Sequence, residues 1–415
     1  MSLHIQYIGY GNENLLIFLP DHTSLLGVSD PEQVITPETF VRKLRSVIQQ
    51  EKLDLSNPVI VVADKTRLCG YPEYLPLLVD ELVAHGADPT TLKFIIAYGT
   101  HPPQTTEECL AAYGEIYNTH TFIHHDASDK SSFTELGVTR KNTPVRVRKD
   151  LLAASAIITM GAVCHHYFAG YGGGRKLVFP GCGEKESIYA NHSLFLDGDN
   201  QKLASGCQPG NLIRNPLADD LFEVEEHLPA HLSIHGLLDS HGTLCDLLIG
   251  SGRSIFDRAC EAQGKACEIS SEQFDTVVAS CGGFPKDINF IQAHKAIHHS
   301  AMFVKDGGLL LVYCECRDSI GSTTFLPWFE KDSFEAAFQL LSQNYEGNGG
   351  TALAMMTKLQ RIRIGLITSI DQEILTKIGV ELWHHNQVCE HLANVSAGES
   401  IACIVNASLL VKKVF

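Results

Sequence analysis

The sequence predicts an α/β protein of two domains with largely parallel sheets and an interdomain active-site cleft. Three observations carry that prediction. The chain has 415 residues, which suits two α/β cores better than one. Strand-like and helix-like apolar segments alternate along it, as in β-α-β units. Three successive apolar segments also end in chemically able side chains, and open parallel sheets bind ligands beyond the carboxyl ends of their strands. The expected division gives an N-terminal domain of residues 1–251 and a C-terminal domain of residues 252–415.

The first strand is read at residues 58–63 and runs into Asp64, Lys65, Thr66 and Arg67. A helical apolar repeat follows over 72–85 and stops at Gly86. The second strand, 92–98, delivers Gly99, Thr100 and His101, and the next helix, 105–113, carries Glu107 and Glu108 in its early turns. The third strand, 156–160, opens into a loop holding His165 and His166. In the second half a linking helix is read at 254–263 and a strand at 274–280 leading to Cys281, Gly282 and Gly283. A helix at 290–303 follows, then strands at 307–313 and 362–368, a short helix at 375–379 and a last strand at 401–410.

Composition narrows the class. The formal charge of -16, from 32 basic and 48 acidic residues, argues against a nucleic-acid partner. The start, MSLHIQYIG, lacks the basic and long apolar regions of a signal peptide, and no charge-free run reaches membrane-spanning length. Thirteen cysteines are scattered without a C-x-x-C pair, which fits reduced thiols in a cytoplasmic protein.

Residues 161–181, GAVCHHYFAGYGGGRKLVFPG, are the most informative stretch. Gly172, Gly173 and Gly174 let the backbone reach positive φ and approach a ligand. Arg175 then offers a fork of donors and Lys176 an amine. A Walker loop needs Gly before the lysine and Ser or Thr after it; here those places hold Arg175 and Leu177. The G-x-G-x-x-G fingerprint finds no match either. A phosphate or mononucleotide remains compatible with the loop. Taken alone, Lys176 could equally be a surface or ion-pairing lysine, and His192 a satisfied polar residue or a helix cap.

At this point the chain resembles the nickel-dependent lactate racemase family. In that family a histidine is followed ten residues later by lysine and sixteen beyond that by another histidine, as His166, Lys176 and His192 are here. The DKTR of Asp64 to Arg67, the strand-terminal His101 and GGFPKDINFIQAHK, residues 282–295, also match. The resemblance covers nearly the whole chain.

The resemblance implies a nickel-pincer nucleotide, a pyridinium bisthiocarboxylic acid mononucleotide, joined covalently through Lys176. Its metal would take His192 as the fourth planar ligand, a position imidazole fills well. His101 and His166 would be the two acid–base groups serving opposite faces of a small 2-hydroxy acid. Arg67 and Lys295 would clamp the substrate carboxylate with help from Gln292. Asp64 and Thr66 would orient polar groups of the cofactor or Arg67, and Gly172, Gly173, Gly174 and Arg175 would line the cofactor. The implied reaction is racemisation or epimerisation at C2 by reversible hydride transfer. Its partners would be the substrate and the cofactor-maturation enzymes, with no nucleic acid or membrane involved; oligomeric state is left open.

The chain departs from the lactate enzyme at Ile291, where the family has tyrosine, and at Gly172, where serine is usual. Isoleucine can pack but cannot donate a hydrogen bond, so a substrate other than lactate is expected. Three rivals stand beside this reading: a sugar-acid 2-epimerase using the same cofactor, a nickel-free phosphate or nucleotide enzyme, and a non-catalytic cofactor carrier or binding protein. The group His120, His124, His125 and Asp126 is read as a polar strand end without a metal.

Overall fold

The run Pro58–Ala63 is buried at every position, the signature of a central parallel strand covered on both faces. The computed structural model describes residues 3–31 and 34–413. Pro58–Ala63 pairs in parallel with Lys93–Ala97 on one side and Ala156–Ala162 on the other. The six-stranded sheet runs in the order Leu244–Gly250, Leu232–Leu238, Ala156–Ala162, Pro58–Ala63, Lys93–Ala97, Thr121–His124. Only the first two strands of that order are antiparallel.

Helices form where the sequence caps them. Thr36 accepts from the Thr39 amide at 3.3 Å and opens Pro37–Glu51, whose buried Phe40, Leu44 and Ile48 recur every four residues. Thr105 and Glu108 form a reciprocal capping box at the start of Thr106–Tyr113. Tyr71, on helix Tyr71–Ala84, braces two strand ends at once. Its hydroxyl accepts from the Ala63 amide at 2.8 Å and donates to the Met160 carbonyl at 2.9 Å.

The second sheet is parallel throughout, in the order Glu381–Leu382, Arg363–Ile367, Val304–Tyr313, Phe274–Ser280, Ile401–Ile404, Ser24–Leu26. An N-terminal hairpin, Leu3–Tyr10 with Glu13–Pro20, sets Ile8, Ile17 and Leu19 against Val278, Leu311 and Tyr313.

The chain divides into two units: one of residues 1–29, 195–205 and 267–415, the other of residues 30–194 and 206–266. This differs from a single cut at residue 251. Ser24–Leu26 adds a strand beside Ile401–Ile404 and so takes the amino terminus into the later unit. The linking helix extends over Gly252–Cys267, and its Phe256, Ala259 and Cys260 cluster with Val163, Tyr171 and Phe222 of the earlier one. Among the described residues no helix is long and apolar enough to cross a membrane, and the cysteines form no disulfide.

Candidate active site

The end of Pro58–Ala63 delivers Asp64, and the adjacent strand Lys93–Ala97 leads to His101. Their side chains meet: His101 Nδ1 lies 2.6 Å from Asp64 Oδ2. A carboxylate only accepts, so Nδ1–H donates and the lone pair of the neutral ring sits on Nε2. Asp64 is 3% exposed, and its other oxygen accepts from the Thr66 amide at 2.8 Å and the Thr66 hydroxyl at 2.6 Å. Arg67 Nη1 stands 4.0 Å from Oδ2 and 3.3 Å from Thr66 Oγ1. Burial alone would raise the Asp64 pKa. The His101 hydrogen bond, the charges of Arg67 and His101, and the Thr66 bond override it and hold the carboxyl well below the usual range.

The third strand end folds back as a short antiparallel ribbon, with Cys164–His166 paired to Gly170–Gly172. His166 Nδ1 faces two backbone donors, the amides of Phe168 at 3.2 Å and Ala169 at 3.0 Å. It must therefore accept, which leaves the ring proton on Nε2. The two imidazoles thus carry opposite tautomers, fixed by a carboxylate at one and by amides at the other.

The glycines after the ribbon answer to the chain's own packing. Gly173 and Gly174 have φ of 80° and 52°. A Cβ at Gly173 would sit 2.4 Å from the Ala162 carbonyl oxygen, and one at Gly174 would sit 2.6 Å from the Phe256 ring. A Cβ at Gly172 would meet Cys164 Sγ at 3.2 Å. The amides of Lys176 and Leu177 donate to the carbonyls of Gly173 and Gly174 at 3.1 and 3.0 Å. They are thus engaged within the loop itself, unlike the open amides of a phosphate nest.

Arg175 and Lys176 begin the one-turn helix Arg175–Val178 and have different surroundings. The Arg175 guanidinium is 4% exposed and lies between two rings, 4.0 Å from the centroid of Phe222 and 4.6 Å from that of Phe256. Its fork of donors makes no hydrogen bond among the described residues, and burial pushes its pKa down to about 10. Lys176 is half-buried. Burial, then the charges of Arg67 and Arg175, push its amine well below the ordinary lysine value.

His192 lies in the last turn of Lys185–Ser193, a helix capped by Glu184, whose carboxylate accepts from the Ser187 amide at 3.1 Å. His192 Nδ1 is 2.8 Å from the Ile188 carbonyl, so Nδ1–H donates and Nε2 bears the lone pair. Burial, then the nearby Lys176 charge, push its pKa down to about 3. Asp64, Arg67 and His101 therefore form one hydrogen-bonded and charged group, and Lys176 couples electrostatically to both Arg67 and His192.

Gln292 and Lys295 belong to the other unit, on helix Phe290–Ala301. Asn289 caps that helix by accepting from the Gln292 amide at 3.0 Å. Lys295 Nζ donates to Gln292 Oε1 at 2.7 Å, so the two side chains act as one polar group. Ile291 beside them is partly exposed. His124 accounts for the polar strand end: it meets the hydroxyls of Tyr98 at 2.9 Å and Tyr117 at 3.1 Å.

Comparison with known proteins decides the family. A model of the lactate racemase N-terminal domain matches residues 10–204, and one of the lactate racemase C-terminal domain matches residues 269–350. The chain belongs to the lactate racemase family. The lactate racemase of Thermoanaerobacterium thermosaccharolyticum is 27% identical over 351 residues, 81% of this chain and 80% of that one. That of Lactiplantibacillus plantarum is 27% identical over 295 residues, 69% of this chain and 68% of that one. The fold matches the solved lactate racemase apoprotein of T. thermosaccharolyticum with a TM-score of 0.88 at 23% identity, covering 99% of this chain and all of that one. A protein from Thermotoga maritima matches with a TM-score of 0.69 at 16% identity, over 93% of this chain and 99% of that one.

The residues of this lactate racemase relative fit the group expected from the sequence. Among the described residues no set of three or more His, Cys, Asp or Glu side chains is arranged to hold a metal ion. A single imidazole such as His192 suits a metal that arrives with its other donors. The Ile188 carbonyl orients the ring from behind, as the acceptor on the far nitrogen of a metal-binding histidine does. A lysine amine with a depressed pKa, close enough to sense that histidine, suits a covalent tether.

Sequence reasoning found the strand-end residues but missed what holds them. The resemblance puts Asp64 beside the cofactor or Arg67, and the structure adds a 2.6 Å contact with His101. No spacing rule links residues 37 positions apart on neighbouring strands.

Proposed function

We propose that this protein racemises or epimerises a 2-hydroxy acid other than lactate at C2, using a nickel-pincer nucleotide tethered to Lys176 with His192 as the protein ligand to nickel. The opposed hydrogen bonding of the two imidazoles carries the reading. His101 is poised to accept a proton at Nε2, because Asp64 holds its other nitrogen protonated and stabilises the cation that results. His166 is poised to offer one from Nε2, because two amides occupy its Nδ1. Interconverting enantiomers needs one group of each kind at the substrate hydroxyl.

The cofactor, when bound, supplies a reversible acceptor for the C2 hydride. Arg67 gives the substrate carboxylate a planar cationic partner, itself steadied by Thr66 and Asp64. Lys295 and Gln292, joined at 2.7 Å, offer a further cationic and amide pair suited to a carboxylate. Asp64 orients His101, and Thr66 fixes Asp64. Arg175, packed between Phe222 and Phe256, seats the turn that presents Lys176. The partly exposed Ile291 favours a substrate with a longer or more apolar group beyond C2, a sugar acid or larger hydroxy acid among them.

The test is to produce the chain together with the cofactor-maturation enzymes, weigh it intact, and incubate it with single enantiomers of several 2-hydroxy acids. A lysine adduct, bound nickel and appearance of the opposite enantiomer are expected. Full activity from unmodified, nickel-free protein would overturn the proposal.

A further inference from the structure

The helix that carries His192 is gripped at both ends by a segment that contributes no group to the proposed chemistry. That segment is the hairpin Phe133–Val138 with Pro144–Arg148. At the amino end of Lys185–Ser193, the Glu184 amide donates to the Arg146 carbonyl at 3.3 Å, and Arg146 Nη1 reaches Glu184 Oε2 at 3.5 Å. At the carboxyl end, the grip runs through one carboxylate. Asp220, on helix Pro216–His227 and 1% exposed, accepts from Thr143 Oγ1 at 2.7 Å and from Thr139 Oγ1 at 2.5 Å, both in the hairpin turn. It also accepts from Asn191 Nδ2 at 2.8 Å. Asn191 is fully buried and immediately precedes His192.

We infer that Asp220 is a positioning residue for His192, acting through Asn191, and that this node sets how tightly the protein holds nickel. The inference rests on the reading of His192 as the nickel ligand. A short helix of nine residues cannot fix its last turn by itself. The Ile188 carbonyl orients the His192 ring only as firmly as the backbone beneath it is held. Asp220 supplies that hold, because its three donors come from the hairpin turn and from the helix and are all sequestered from water, where a hydrogen bond to a charged acceptor is strong. A carboxylate suits this place because its two oxygens accept from two hydroxyls and an amide at once. Asn191 Oδ1 has no partner among the described side chains, so the amide can turn over and accept from an asparagine placed at 220.

Three variants separate positioning from bulk stability: Asp220→Ala, Asn191→Ala and the conservative Asp220→Asn, each made beside the cofactor-maturation enzymes. Asn191→Ala leaves Asp220 bonded to both threonines, so it keeps the test alive if Asp220→Ala fails to fold. Each protein is weighed intact for the lysine adduct, then challenged with a chelator while bound nickel is followed. The two alanine variants should retain the adduct but release nickel about tenfold or more faster, the scale typical when a partner that orients a metal-binding side chain is lost. Asp220→Asn should recover most of the retention. Nickel release at the wild-type rate from folded Asn191→Ala would overturn the inference, as would loss of adduct and nickel together. Wild-type protein with neither adduct nor nickel would instead bring down the reading of Lys176 and His192, and the inference with it.

Discussion

His101 Nδ1 lies 2.6 Å from Oδ2 of the buried Asp64, and that contact fixes which nitrogen of the histidine can act as a base. Replacing Asp64 with asparagine keeps the shape but removes the charge that stabilises an imidazolium. The turnover rate should fall by about 100-fold or more, the range general-base support commands. Cofactor loading, read by intact mass, should persist. The same variant tests stability. Asp64 has a depressed pKa in the folded state, so its contribution is present above the ordinary carboxylate value near ~4 and is lost as pH falls through the lower folded value. Wild-type and Asp64→Asn melting temperatures should therefore differ at neutral pH and converge in strong acid. A constant difference would argue that Asp64 is not ionised in the fold.

Lys176 is predicted to be the fastest-reacting lysine of the cofactor-free protein towards a small amine-selective acylating reagent at pH near ~7.5. Its amine is depressed by burial, then by Arg67 and Arg175, so a larger neutral fraction is available than on an exposed lysine. Peptide mapping after brief labelling gives the order of reaction. Arg67→Gln should slow Lys176 labelling while leaving distant lysines unchanged. Labelling of Lys176 slower than the average surface lysine would show that access, and not basicity, governs the site.

The parts of this fold that the sequence disclosed are those where one physical pattern acts alone. Residues 58–63 read as a strand because the run is continuously apolar, as a doubly covered strand needs. The N-terminal hairpin escaped notice because it is half-exposed, with Ile5, Tyr7 and Phe18 facing outward opposite the buried Ile8, Ile17 and Leu19. Its place is set by a distant contact, the Gly11 amide donating to Asp287 at 2.7 Å. The last strand was read through residue 410 but ends at Ile404, where a turn begins and the Ala407 amide bonds back to the Ser280 carbonyl. Site residues at strand ends were legible from topology, whereas Asp220, Asn191 and the Thr139–Thr143 turn meet only after three separate segments have folded.

His192 should stay neutral through the mildly acidic range, since its pKa is pushed down to about 3. The unfolded chain presents an ordinary histidine near ~6.5. Between those values the unfolded state binds more protons, so the histidine costs stability as pH falls. Replacing His192 with glutamine should therefore lessen the acid destabilisation of the cofactor-free protein, by at most about tenfold in the unfolding constant per pH unit across that window. Urea unfolding of both proteins between pH ~4 and ~7 measures it. Parallel curves would mean that His192 is already solvated in the fold.

Ile291 bears on which 2-hydroxy acid the enzyme prefers. It sits one residue before Gln292 on the capped first turn of Phe290–Ala301, partly exposed, where the resemblance implies a phenol in the lactate enzyme. An isoleucine there withdraws a hydrogen-bond donor and offers apolar contact, so a compact polar substrate loses and a longer one gains. Each methylene-scale contact changes discrimination by roughly 1–3 kcal/mol. Among a panel of 2-hydroxy acids, one with a larger group beyond C2 should exceed lactate in kcat/KM by about 10-fold or more. Ile291→Tyr should shift the ranking back towards lactate without altering the lysine adduct, because the helix cap at Asn289 is untouched. Lactate ranking first in the unmodified enzyme would overturn this reading of Ile291 while leaving the two-histidine chemistry standing, since neither His101 nor His166 depends on that side chain for its tautomer.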